Sequence, residues 1–117
     1  MDFNNTLFAM PLLVGVIFIL TGFIMYKFPP KKINMLYGYR TTSSMKNQAR
    51  WDFAQKYSSK LMIYCGLGLA LSSIIGLLFK VSEGKGVFFS TILMIVTILI
   101  LLYKTEKAIK LKFKDEE

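Results

Sequence analysis

Residues 61–103 read LMIYCGLGLALSSIIGLLFKVSEGKGVFFSTILMIVTILILLY. Two charge-free runs, 61–79 and 86–103, stand on either side of a short turn that holds Lys80, Glu83 and Lys85. At ~1.5 Å per residue each run is as long as a hydrocarbon core of ~30 Å, the second only barely. So tight a link forces an antiparallel helical hairpin. Upstream, no charge occurs between Asp2 and Lys27, which makes a third run. A 117-residue chain has no interior that could bury three such cylinders on all sides. The expected fold is an all-α membrane protein, a single integral membrane domain over 1–117 with spans about 7–27, 61–79 and 86–103.

The rest of the composition narrows the function. The chain has no His and one Cys, Cys65, which excludes an internal disulfide and cysteine-based metal clusters. It also lacks the usual general base near neutral pH. Ser72, Ser73, Thr91 and Thr97 lie within the spans and are expected to bond to carbonyls of their own helices. No catalytic centre, metal site or cofactor site is expected, and the chain is not expected to be an enzyme. The net charge of +8 would suggest nucleic acid in a soluble chain. Here it reports membrane topology, because the charges sit just outside the apolar runs. No nucleic-acid partner is expected; the first partner is the lipid bilayer.

Orientation follows from where the cations stand. With three spans, the loop 28–60, the flanking Lys27 and the tail 104–117 lie on one side with thirteen Lys and Arg, against Lys80 and Lys85 on the other. The positive-inside rule places the N-terminus outside and both the loop and the tail in the cytoplasm. In the tail, Glu106 and Lys110 are spaced for an i,i+4 pair, and the acids 115–117 should fray the last helical turn. The first run lacks a basic leader and ends in Lys27, Pro29 and Pro30, so it reads as a retained span rather than a signal peptide.

The loop itself is patterned. Pro29-Pro30 fits a helix start, with about two turns over 31–37 and Gly38 at a left-handed closing position. One of Thr41, Thr42, Ser43 and Ser44 is then placed to cap the next segment. That segment, 45–60, carries Met45, Ala49, Phe53 and Tyr57 at i,i+4 spacing. This predicts an amphipathic interfacial helix between the first and second spans, lying along the membrane with Trp51 at headgroup level. A lipid anchor is the plainer reading of the loop. Against it stands the density of specific residues from Asn34 to Thr41, including an Arg between two Tyr.

These residues resemble the SdpI/YfhL family of bacterial multi-pass membrane proteins. The signature is Asn34, then Gly38-Tyr39-Arg40-Thr41, then Ser44 and Asn47, then Trp51, with Pro29-Pro30 before it and Tyr37 within it. The resemblance implies a cell-membrane protein of the immunity type, which protects a bacterium from a membrane-active peptide toxin. The best-known member also recruits a transcriptional repressor to the membrane, so the resemblance offers a second use, sequestration of a regulator at the cytoplasmic face. The candidate binding residues for peptide or partner are Asn34, Tyr37, Gly38, Tyr39, Arg40, Thr41, Ser44, Asn47 and Trp51, with Arg40 as the polar anchor. The alternative from another class is a small exporter or channel subunit acting as an oligomer. No ionisable residue lies inside a span, which argues against ion-coupled transport. Gly68, Ser72 and Gly76 form a small-residue stripe that would serve either packing inside the bundle or a homo-oligomer seam.

Overall fold

A computed structural model of the chain describes residues 5–114. Three helices follow one another: α1 (Thr6–Lys27), α2 (Gln48–Gly76) and α3 (Glu83–Lys112). All three are long and apolar enough to cross a membrane. Each begins on a side-chain cap. Asn5 accepts from Leu7 N, Asn47 from Arg50 N and Ser82 from Lys85 N, satisfying donors that the first helical turn leaves open. The cap of α2 is therefore Asn47, and not one of the four preceding hydroxyl residues. Asn5 also closes the other end of α2, its Nδ2 donating to Gly76 O (3.1 Å) and Phe79 O (2.8 Å).

α1 packs chiefly on α2, and the seam is made of small residues. A Cβ on Gly15 would stand 2.7 Å from Gly66 O, and one on Gly66 would stand 2.6 Å from Gly15 O. The two backbones touch, and any side chain there would part them. Pro11 explains a third contact. Having no N–H, it leaves Leu7 O without its helical donor, and the Cα side of Gly76 closes on that oxygen. α3 joins through Ser90, whose Oγ donates to Thr6 O at 3.2 Å. The large residues Leu13, Leu20, Phe23, Leu71, Ile74, Leu99 and Ile100 face outward, while Gly15, Gly22, Gly66, Ser73 and Ser90 are buried. Small residues inside and large apolar ones outside is the arrangement expected where lipid is the solvent.

Several expectations about the spans are corrected. Residues 48–60 do not form a separate amphipathic helix along the surface; they are the first half of α2, continuous with the second span. No Gly or Pro occurs between Gln48 and Cys65 to bend it. The face that this half buries is Arg50, Trp51, Ala54, Gln55, Ser58 and Ser59, rather than the row Met45, Ala49, Phe53, Tyr57. Residues 31–37 are not helical, because Asn34 Oδ1 accepts from both Leu36 N and Tyr37 N and makes a turn instead. α3 runs on from the apolar run through Lys112, so most of the tail is helix; the acids 115–117 lie outside the described residues. Ser72, Ser73 and Thr97 do bond to carbonyls of their own helices. Of the small stripe, Gly76 is taken up by Leu7 while Gly68 faces open space.

Helix length positions the rest. α1 is about 33 Å long, α2 about 44 Å and α3 about 45 Å, against a hydrocarbon core of ~30 Å. Gly22 sits against Ser59, and Lys60 lies over the Tyr26 ring at 5.6 Å. The first two turns of α2 therefore extend past the end of α1. The C-terminal turns of α3 lie at this same end, and the loop 28–47 folds back on both.

Candidate functional site

The loop, the start of α2 and the end of α3 form a polar cap around a small core of Met25, Tyr39, Ala54 and Ile109. Gln55 fastens the loop to α2. Its Oε1 accepts from Tyr39 N (2.7 Å) and its Nε2 donates to Tyr39 O (2.8 Å), a reciprocal pair that satisfies both backbone groups in a buried place. The fit demands glycine beside it. Gly38 has φ +106°, and a Cβ there would stand 2.5 Å from Gln55 Oε1 and 2.7 Å from Pro30 Cγ. Trp51, 0 % exposed, donates from Nε1 to Pro30 O at 2.7 Å. It is an internal strut and not a headgroup-level anchor, a correction that follows from its indole N–H finding a carbonyl inside the protein.

Glu106 fastens the loop to α3. Its Oε2 accepts from Tyr39 Oη (2.7 Å) and Thr41 Oγ1 (3.0 Å), and its Oε1 accepts from Ser43 Oγ (2.7 Å). Donors at residues 39, 41 and 43 alternate along the chain, so three hydroxyls face the carboxylate while Arg40 and Thr42 between them face out. Glu106 is thus turned to the loop and not spent on a surface pair with Lys110. Burial, and then the hydrogen bond to this carboxylate, push the Tyr39 phenol above its usual range. Thr41 and Ser44 close the corner: Thr41 N donates to Ser44 Oγ (2.9 Å), and Ser44 Oγ is within reach of Tyr39 O (3.2 Å). Arg50, 2 % exposed, donates from Nε to Ser43 O (2.8 Å) and lies over the Phe113 ring.

Of the residues singled out from sequence, Gly38, Tyr39, Thr41, Ser44 and Trp51 come together in this cap as its framework. Asn47 caps α2 beside them and Asn34 shapes the turn. Tyr37 Oη donates to Phe28 O at 2.8 Å. Arg40 is exposed, its Nη1 donating to Met35 O. It does not stand between two Tyr rings, because chain alternation sends Tyr39 inward and Arg40 outward. Sequence reasoning missed Gln55, Ser43, Arg50 and the role of Glu106. Two signals pointed to them. Glu106 is the single acid between Glu83 and Asp115, and Gln55 follows Trp51 by one helical turn.

Two open clefts of about 520 Å³ flank the cap. One is bordered by Pro29, Lys31, Gln48, Asp52 and Lys56, the other by Ser43, Lys46, Arg50, Glu106, Lys107 and Lys110. A smaller apolar pocket of about 260 Å³ lies between Met25, Leu36, Tyr37, Met62 and Leu101. Hydroxyls, amides, ammonium groups and a guanidinium recognise ligands by hydrogen bonding and charge.

Known proteins bear on this arrangement. Residues 31–104, which hold most of the loop, all of α2 and most of α3, match the SdpI/YfhL protein family. The chain is also similar to the uncharacterized protein YfhL of Bacillus subtilis (strain 168), with 41 % identity over 98 residues that cover 83 % of either chain. No solved structure matches it. With the signature residues gathered in one cap and likeness running along most of its length, the chain belongs to the SdpI/YfhL protein family.

Proposed function

We propose that this protein is an immunity-type module of the bacterial cell membrane, which neutralises a membrane-active peptide toxin. In this reading the N-terminus is outside, and the cap and the end of α3 are cytoplasmic, which the thirteen-to-two distribution of cations supports. Family membership supports the immunity role. The observation that carries the choice of surface is the division of labour within the motif. Tyr39, Thr41, Ser44 and Trp51 spend their polar groups inside the protein, with Gly38 packed against Gln55 and Pro30, and so hold one short stretch outward. There Leu36 is 93 % exposed, Met35 is exposed, and Tyr37 and Arg40 stand beside them. An apolar tip with one guanidinium, at the end of the first span, suits an amphipathic peptide partly sunk in the membrane. A regulator drawn to the membrane would meet the same face.

The test is survival of a sensitive bacterium that expresses the chain and is challenged with a panel of secreted antimicrobial peptides. Protection against one peptide class is expected. Arg40→Lys should remove most of it at equal protein level: one guanidinium nitrogen is used by Met35 O, and the rest of the planar fork stays free to grip a partner, which an ammonium cannot reproduce. Lys31→Arg and Lys56→Arg should protect normally. Ion leak or efflux without protection would replace this reading with that of a small exporter or channel subunit.

A further inference from the structure

We propose that the basic cleft between the start of α2 and the end of α3 is a binding site for one anionic phospholipid. Its phosphodiester would lie among Lys46, Arg50, Lys107 and Lys110, with an acyl chain along α3. Among the described residues, four cations border this cleft against one carboxylate, Glu106. That carboxylate is already engaged, its two oxygens accepting three hydroxyl protons from the loop. Arg50 is fixed in place by Ser43 O and Phe113. Lys46, Lys107 and Lys110 are exposed, and no ion pair holds any of them among the described residues. Among the described residues the cleft therefore carries an excess of positive charge, at the end of the third span.

The second half of the argument is continuity. Tyr103 borders this cleft and also the neighbouring groove of about 310 Å³, whose other walls are Val96, Leu99, Ile100 and Lys104. That groove lies on the outward face of the third span, where lipid chains run. A cationic cleft opening at a shared tyrosine onto an apolar groove has the two-part chemistry of a phospholipid: charge at the headgroup, hydrocarbon below it. A free phosphate would use only the upper part, and a neutral lipid only the lower.

Native mass spectrometry of the full chain released from detergent micelles tests this, with phosphatidylglycerol and phosphatidylcholine of identical acyl chains as probes. One phosphatidylglycerol should be retained in preference to phosphatidylcholine. Lys107→Gln with Lys110→Gln should weaken that retention by roughly 25-fold, at about fivefold per cation removed near an anionic headgroup. Lys80→Gln with Lys85→Gln, at the opposite end, should leave it unchanged. Equal retention of the two lipids, or equal losses in the two double variants, overturns the proposal. So does displacement of the lipid by millimolar inorganic phosphate, which would make the cleft a site for free anions. Should the cap variant lose helicity, the comparison of the two lipids on the unaltered chain still decides. None of these outcomes bears on the peptide-survival assay.

Discussion

Glu106 joins a loop to a helix through hydroxyl groups alone, and the consequence is sensitivity to one proton and one charge. An ionised acceptor strengthens each of its hydrogen bonds relative to a neutral one. Glu106→Gln keeps the shape but removes the charge, so it should cost roughly 1–2 kcal/mol of stability in micelles, read from the unfolding midpoint. Tyr39 makes the pH dependence explicit. Its phenol is raised above the ordinary value of about 10, so the folded protein holds that proton more tightly than the unfolded chain does. The stability that this supplies is complete below pH ~10 and is lost as pH rises above that range. In Tyr39→Phe the decline of stability between pH 10 and 11 should be shallower than in the unaltered chain. An equal decline would place the alkaline sensitivity elsewhere.

Among the elements, α1 and α2 depend on backbone contact, and glycines at different depths of that contact should behave oppositely. Gly15→Ala drives a Cβ against Gly66 O and Ala70 N, neither of which can rotate away. It should destabilise by roughly 1–3 kcal/mol, as overpacking does. Gly68→Ala meets nothing within 4 Å and removes a helix-weakening glycine, so it should be neutral or stabilising by about 0.5–1 kcal/mol. Thermal unfolding of the two variants side by side checks both signs. If a second copy packed on Gly68 and Ser72, Gly68→Ala would instead lower the oligomeric mass. Trp51 reports on α2 directly, since it is the chain's single tryptophan. Held at Pro30 O inside the cap, it should be quenched weakly by both aqueous acrylamide and brominated lipid. Strong quenching by the lipid would restore the surface-lying helix.

For the molecule as a whole, unequal helix lengths create a membrane domain and a cap from one set of helices. α2 and α3 exceed a bilayer core by about 14 Å, and both spend the excess at the same end. That end also carries nearly all the cations, so the cap and the positive face coincide. A reporter fused after residue 114 should be active only in its cytoplasmic form, and one inserted within 81–85 only in its exported form. A cytoplasmic signal from the 81–85 turn would reverse the orientation and place the cap outside.

Three spans, the hairpin and the charge asymmetry were legible in the sequence because they are properties of contiguous residues. A run without charge is apolar whatever it packs against, and a cation count needs no partner. The special backbone at Gly38 was legible for the same reason, since only glycine tolerates such a turn without strain. The loop motif could be recognised as a pattern, but not assigned to its task. Whether Trp51 meets lipid or Pro30 O depends on residues twenty-one positions apart, and whether Glu106 meets Lys110 or Tyr39 on residues sixty-seven apart. Local spacing offered each side chain a near partner: a membrane surface for Trp51, and a lysine one turn on for Glu106. Tertiary structure chose the distant ones, because burying a hydrogen-bonding group beside water-excluding neighbours rewards the partner that satisfies it. The same choice kept α2 unbroken: Trp51, Gln55 and Ser59 face protein, and the segment runs on into the second span as one helix.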